Sequence, residues 1–389
     1  MLKYTIRNRF IFKVAHGVFN LSKCFLRSAT YLFLFLPFFG LNNLDNPSKS
    51  SSSASPRVID TTSNNFTFQT FSFERGSLND VAIVSDTDIW AVGQVYFNSI
   101  EYNAVHWDGK EWHFQKIPHY YKGQVFYQQI NAVFAIASND VWFAGDGVQH
   151  WDGQQFSTVN GVNSVLKKIM PPLKKGTSST SVQGTYLLNR IWASSNKNIY
   201  LVGFGGTIVH YDGLWHRIPT RTSLEFNDIY GSGGQVLAVC QQFNPEGSKI
   251  FSIQGNTAKQ ILSNSNLVYA FNSVWFVHNE HYYIVGDGGI IEKNLLSDSS
   301  WADGSSDMIR STPTMVRGNG TNDVFVVGGY GEFLHWNGIR WKTFIHQTGL
   351  ADDGTYFSIS VNRNLVVAVG VNNIGDATLG GTITVGKRQ

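Results

Sequence analysis

The stretch Leu78–Gly93, LNDVAIVSDTDIWAVG, is written again as INAVFAIASNDVWFAG (Ile130–Gly145), LNRIWASSNKNIYLVG (Leu188–Gly203) and FNSVWFVHNEHYYIVG (Phe271–Gly286). In each, an Asn stands 14 residues before a closing Gly: Asn79–Gly93, Asn131–Gly145, Asn189–Gly203 and Asn272–Gly286. The same interval joins Asn227 to Gln241, Thr314 to Gly328 and Tyr356 to Gly370, so seven units share one spacing. An apolar run follows the Asn, a polar turn such as SDTD or SNKN breaks it, and a second run such as IWAVG reaches the Gly. Two short strands joined by a turn account for that pattern.

Outward from this core the units continue alike. A Gly-rich turn leads to a third apolar run, which ends in a His–aromatic–Asp/Asn–Gly box, and a fourth run follows. The box occurs in AVHWDGKEWHFQKIP (Ala104–Pro118), QHWDGQQF (Gln149–Phe156), VHYDGLWHRIP (Val209–Pro219) and LHWNGIRWKTF (Leu334–Phe344). Asp–Gly between β runs predicts a two-residue type I′ hairpin turn at Asp108–Gly109, Asp152–Gly153, Asp212–Gly213 and Asn337–Gly338. Asn65 to the end is 325 residues, so seven units average about 46 each. Repeats of that length with Gly and aromatic punctuation predict propeller blades. The expected fold is all-β: a seven-bladed β-propeller of four-stranded blades, with the first strand of each blade innermost.

The ends complete the pattern. The seventh unit stops after GGTITVGKR without a fourth run, and an orphan alternating stretch, NFTFQTFSF (Asn65–Phe73), precedes the first unit. An open ring exposes two strand edges. Pairing the orphan strand into the last blade removes both, so the ring is expected to be closed by its N-terminal strand.

The boxes WDGKEW (Trp107–Trp112) and WNGIRW (Trp336–Trp341) resemble Asp-box repeats, which have one more residue between Asp and Gly. FVVGGYGEFLHWNGIRW (Phe325–Trp341) resembles a kelch repeat, with paired Gly before a Trp. Residues 65–389 are similar to exported bacterial propellers with degenerate repeats of these kinds. The resemblance implies fold; such propellers include sugar oxidases, sialidases, assembly factors and binding scaffolds. None of their catalytic constellations maps onto this chain residue by residue, so no catalytic residue and no cofactor is assigned.

The N-terminal region has a different composition. Residues 1–57 hold eight Lys or Arg against Asp45 alone, whereas the rest of the chain holds 22 against 26 acids. The overall +3 therefore belongs to the leader. A body of net −4 lacks the clustered positive charge that holds phosphate backbones, so no nucleic-acid partner is expected. The leader runs basic to Arg27 and then apolar through ATYLFLFLPFFGL (Ala29–Leu41), the order of a secretory signal. The same order fits an uncleaved signal anchor that tethers the body to a membrane through residues 29–41. The expected organisation is a signal peptide or anchor over 1–44, a Ser-rich linker over 45–64 and a propeller over 65–389. The body is thus expected to be exported, whether periplasmic, cell-surface or secreted. Cys24 lies in the leader and Cys240 in the apolar run QVLAVCQQF, which reads as a buried, unreactive thiol.

Several repeated residues are candidates for chemistry. His106, His150, His210 and His335 recur in the boxes, but equivalent positions in different blades lie at least a sheet-packing distance apart, about 10 Å. They cannot converge on one ion, so no metal site is expected and each His reads as a packing residue. Asn79, Asn131, Asn189, Asn227 and Asn272 read either as Asx turns at the start of each innermost strand or as a ring of carboxamides at the channel mouth. Trp90, Trp142, Tyr200, Tyr283 and Phe325 read as packing between blades rather than sugar platforms. The interval Asn131–Asn189 is 58 residues, longer than the others, because VLKKIMPPLKKGTSSTSVQG (Val165–Gly184) is inserted. Its Lys167, Lys168, Lys174 and Lys175 form a candidate partner-contact loop. The expected function is a non-enzymatic binding or assembly scaffold with a protein or glycan partner in the envelope or outside the cell. The alternative is a carbohydrate-binding or carbohydrate-active propeller.

Overall fold

The structure, a computed structural model, describes residues 61–166, 188–241, 248–263, 270–305, 307–350, 352–375 and 378–389. Residues 1–60, which hold the expected signal or anchor and most of the expected linker, and the four lysines of the inserted loop lie outside the described residues. The described chain forms seven four-stranded antiparallel sheets and one small additional hairpin, His119–Tyr121 with Gln124–Phe126. Six sheets are simple meanders. Their first strands are Arg75–Ser85, Ile130–Ala137, Leu188–Ser195, Glu225–Ser232, Phe271–Val277 and Pro313–Gly320, numbered here as blades 1 to 6. Blade 7 is built from Gly354–Asn362, Leu365–Asn373 and Leu379–Arg388, with Phe66–Ser72 as its outermost strand. First strands of successive blades pack together all the way round, blade 7 against blade 1. The only α-helix among the described residues, Asn160–Leu166, spans about two turns.

Ring closure is as expected. Phe66–Ser72 runs antiparallel to Thr382–Arg388, with Phe66 opposite Arg388 and Ser72 opposite Thr382. The strand's alternating side chains bind its two neighbours together. Phe66 and Phe68 meet Phe325, Phe333 and Phe344 of blade 6, while Phe71 and Phe73 meet Trp112 and Phe114 of blade 1. Thr62 and Asn64, assigned to the linker in the sequence reading, are already bonded to blade 6. Thr62 N donates to Asn337 O at 3.2 Å, and Asn64 Oδ1 lies 2.6 Å from His335 Nδ1.

The core is divided by the blade interfaces. Seven buried apolar clusters alternate with the seven blades, one between each adjacent pair. A blade is covered on both faces, so its second strand is continuously apolar rather than alternating. In DVFVVG (Asp323–Gly328) every residue is buried. The repeated Trp90, Trp142, Tyr200, Tyr283 and Phe325 are all 8 % exposed or less and fill these interfaces.

The 14-residue interval has a backbone cause. Each first strand carries a β-bulge, at Asn79, Asn131, Asn189, Asn227, Asn272, Thr314 and Phe357. The bulge turns the carbonyl two residues earlier toward the closing glycine. A Cβ on Gly93, Gly145, Gly286, Gly328 or Gly370 would lie closer than 3.0 Å to that oxygen, so only glycine fits. Blades 4 and 7 depart from the sequence alignment by one residue. Their hairpins close with two-residue turns, Gly233–Gly234 and Arg363–Asn364, where the others carry an extra residue. Consequently Phe357, not Tyr356, holds the bulge of blade 7, and Cys240, not Gln241, stands at the glycine position of blade 4.

Candidate contact face

The four-stranded meander puts two kinds of connection on opposite sides of the ring. One side, the turn face, carries the turns between strands 1 and 2 and between strands 3 and 4. The other, the loop face, carries the loops between strands 2 and 3 and the links between blades.

At the centre, charged residues of the first strands meet across the channel. Arg317 of blade 6 makes a bidentate pair with Asp228 of blade 4, at 2.8 and 2.9 Å. Arg190 of blade 3 lies 3.7 Å from Asp80 of blade 1 and 4.0 Å from Asp228, and donates to Phe357 O of blade 7 at 3.4 Å. The carboxylates are satisfied from their neighbours as well. Ser358 Oγ and Val133 N donate to Asp80 at 2.6 and 3.0 Å, while Ser273 Oγ and Val274 N donate to Asp228 at 2.6 and 3.0 Å. Burial alone would lower the pKa of Arg317, but the facing Asp228 outweighs it and raises it. Two cations and two anions on four blades, with these partners, thus tie all seven blades together and occupy the middle of the ring.

The Asn ring sits beside this plug and joins blade to blade. Asn79 Nδ2 donates to Ile130 O at 3.2 Å, Asn131 to Leu188 O at 3.3 Å, and Asn189 to Phe226 O at 2.9 Å. Asn227 donates to Phe271 O and Asn272 to Pro313 O, both at 2.9 Å; Thr314 Oγ1 continues the series to Tyr356 O at 2.6 Å. Each amide reaches the strand of the next blade rather than folding back as an Asx turn on its own. Each such bond contributes about 1 kcal/mol net.

On the turn face the boxes form one repeated unit. His106 Nε2 lies 2.8 Å from Asp88 Oδ1 and stacks on Trp90 at 4.0 Å. His150 pairs with Asp140 against Trp142, His210 with Asn198 against Tyr200, and His335 with Asp323 against Phe325. Blade 5 has no box, yet it keeps the unit inverted: His281 on strand 2 pairs with Glu292 on strand 3 at 3.0 Å and packs on Tyr283. Each imidazole is therefore tied to a partner inside its own blade. The turns differ from the two-residue type I′ expected. Trp107 pairs with Trp112 across a four-residue loop in which Gly109 alone has positive φ, +93°. Asp108 Oδ1 accepts from Lys110 N and Glu111 N at 2.8 and 2.9 Å, which holds its carboxyl below the usual range. Asp152 and Asn337 do the same in their loops. Burial would raise Asp323, but hydrogen bonds from His335, Arg388 and Asn319 outweigh it and lower its pKa.

The loop face is less regular. Two-residue turns with positive φ at both positions, found on the turn face only at Gly233–Gly234 among the described residues, occur here at Asn98–Ser99 (φ 51° and 61°) and Lys122–Gly123 (φ 49° and 77°), each closing a hairpin that projects from the ring. Blade 1 extends its second strand to ten residues, Asp88–Phe97, where blade 2 has six, Asp140–Gly145. Three carboxyls on this face are raised by burial: Glu225, Asp287 and Glu332, the last to about 7. Glu332 Oε1 accepts from Arg310 N at 2.8 Å and Oε2 from Ser311 Oγ at 3.2 Å. These bonds pin the link between blades 5 and 6 beneath Tyr330, an exposed residue at φ 52°. No group of three His, Cys, Asp or Glu that could hold a metal ion occurs among the described residues.

Comparison with known proteins agrees with the fold. No protein-family profile matches the chain, and no curated protein is significantly similar to it. Among solved structures it is similar to YCF48 bound to D1 peptide, with 15 % identity, TM-score 0.58, and 85 % of this chain and 99 % of that one covered. It is similar to a catalytically inactive virginiamycin B lyase from Staphylococcus aureus with quinupristin, at 10 % identity and TM-score 0.59, covering 83 % of this chain and 100 % of that one. The WD40 β-propeller domain of Doa1 matches at 12 % identity and TM-score 0.52, covering 82 % of this chain and 97 % of that one. At these identities the likeness is one of fold.

Proposed function

We propose that this protein is a non-enzymatic scaffold that binds a polypeptide through its loop face. The observation that carries the reading is the division between the faces. Ion pairs and inter-blade amides engage the centre, and the repeated polar residues of the turn face are engaged with one another. The projecting hairpins and desolvated carboxyls stand on the loop face. Two of the similar folds, one bound to D1 peptide and one a WD40 domain, support a polypeptide partner; the virginiamycin B lyase is the counter-example from enzymes. The repeated aromatics, read from the sequence as packing between blades, are buried and so offer no platform for a sugar. We further propose that the body works outside the cytoplasm, a reading that rests on the basic-then-apolar leader.

The test is lysine cross-linking of the full-length protein in its native envelope, followed by peptide mapping. Partner cross-links are expected at Lys116 and Lys122, which stand on the loop face. Cross-links confined to Lys110, Lys197 and Lys342 on the turn face, or bound species that are not polypeptides, would refute the reading.

A further inference from the structure

The charges of the turn face are unevenly placed round the ring. Among the described residues, blades 6 and 7 carry Arg340, Lys342, Arg363 and Lys387 there and no exposed acid. The acid of that side, Asp323, is buried and bonded to His335 and Arg388. Blades 1 to 3 carry Asp86, Asp108, Glu111, Asp152 and Asp212, all exposed, against two exposed lysines. Asp88 and Asp140, paired with His106 and His150, lie on the same side. Counting the exposed acids and lysines of blades 1 to 3 and the four cations of blades 6 and 7, one side of the face stands at −3 and the other at +4, on a body of net −4.

The chain from the leader joins the body on the basic side. Thr62 N donates to Asn337 O at 3.2 Å and Thr62 Oγ1 to Asn322 O at 2.6 Å, and both acceptors stand in turn-face loops of blade 6. Arg340 closes the first of these loops, its N donating to Asn337 Oδ1 at 3.0 Å. Lys342 Nζ donates to Asn64 O at 3.0 Å, and Arg363 N donates to Asn319 Oδ1 at 2.9 Å, which holds the blade 7 turn against blade 6. Only residues 42–60 separate the apolar run that ends at Leu41 from Thr61, a reach of at most about 65 Å. A body tethered through that run presents its basic side to the bilayer first. The tip of the blade 6 loop is apolar, with Ile339 57 % exposed. An apolar tip among cations suits the boundary between headgroups and acyl chains of an anionic bilayer. The equivalent tip of blade 3, Leu214, is 71 % exposed but follows Asp212 on the acidic side. Each cation near an anionic surface strengthens binding about fivefold, and a short tether supplies a local concentration in the millimolar range, so four cations suffice without a pocket.

We propose that the basic side of the turn face, with Ile339 at its tip, docks on an anionic membrane surface beside the leader, with blades 1 to 3 tilted away from the bilayer. This inference rests on the leader as a membrane anchor and is independent of the polypeptide-binding reading, because it leaves the loop face outward. The test uses the full-length protein with Cys24→Ser, so that buried Cys240 is the one native thiol left. An environment-sensitive fluorophore is attached at Ile339→Cys or at Leu214→Cys. The protein is reconstituted into vesicles of phosphatidylcholine with or without one third phosphatidylglycerol. The probe at 339 is expected to brighten on the anionic vesicles, to lose that response in about 1 M salt, and to stay dim on phosphatidylcholine alone. The probe at 214 is expected to stay dim throughout. Arg340→Ser/Arg363→Ser/Lys387→Ser should lower the docked-to-undocked ratio about a hundredfold and abolish the response at 339. Equal responses at the two positions, an equal response on both kinds of vesicle, or a response that survives the triple variant would overturn the inference. A response at 339 that needs no vesicles and grows with protein concentration would overturn it too, by marking a second copy of this chain as the occupant. A probe at 339 that never responds contradicts it, and a protein that does not float with either vesicle contradicts the anchor as well.

Discussion

The two faces of the ring are built by opposite rules. On the turn face, a His paired with a carboxylate or an Asn and packed on an aromatic recurs in five blades, and a loop capped by Asp or Asn recurs in four, so that the polar groups close on one another. The loop face is less uniform: blades 1 and 7 extend a hairpin, the link between blades 1 and 2 inserts another, and a buried glutamate pins the link between blades 5 and 6. Repetition follows from a common packing task, since every blade presents the same surface to the next. Irregularity is tolerated where packing does not dictate the chain, and that is where binding surfaces are found.

The largest expected effect bears on the turn-face anchorage of the closing strand. Deleting residues 61–72 removes Phe66 and Phe68 from the blade 6 aromatics and exposes the edge of Leu379–Arg388. The melting temperature should fall by about 10 °C or more, or soluble expression should be lost. Unchanged melting would mean that the ring closes without its N-terminal strand.

Arg317→Met tests the central plug, which belongs to neither face. Asp228 is fully buried and would lose its bidentate partner. Urea unfolding should show a loss of about 3 kcal/mol, because the cost is that of an uncompensated buried charge. A neutral result would show that Arg190 alone balances Asp228.

Glu332 sharpens the contrast between the faces through pH. Its folded pKa is raised above the unfolded value, so it contributes stability that is present at low pH and lost as pH rises through about 7. Turn-face Asp323, which is lowered, contributes stability above its unfolded pKa and loses it in acid. Glu332→Gln should therefore stabilise the protein by about 2 kcal/mol at pH 8 and flatten the dependence between pH 5 and 8. A variant that melts in parallel with the parent over that range would remove Glu332 as the cause.

Much of the fold was legible in the chain, for a definite reason. Blade packing repeats, so the Asn-to-Gly interval, the aromatic three residues before the Gly and the missing last strand each report on one geometry. The register slips in blades 4 and 7 were hidden because a two-residue turn and a bulged one look alike in composition. The central plug left a signal that was passed over: Asp80, Arg190 and Asp228 follow directly after three of the repeated Asn residues, opposite charges at one repeat position. The inverted pair of His281 and Glu292 could be found only by knowing which strands pair, because its residues match neither the box nor its partner.

The division of labour between the faces is tested most directly by comparing the melting temperatures of two triple variants of the full-length protein. One is Ile100→Ser/Val125→Ser/Leu379→Ser on the loop face; the other is Asp108→Ala/Asp152→Ala/Asn337→Ala in the turn-face loops. The first should melt within about 1 °C of the parent, because its side chains are half exposed. The second should melt about 3 °C lower or more, because each substitution frees two backbone amides from their cap. The reverse order would contradict the assignment of stability to the turn face and contact to the loop face.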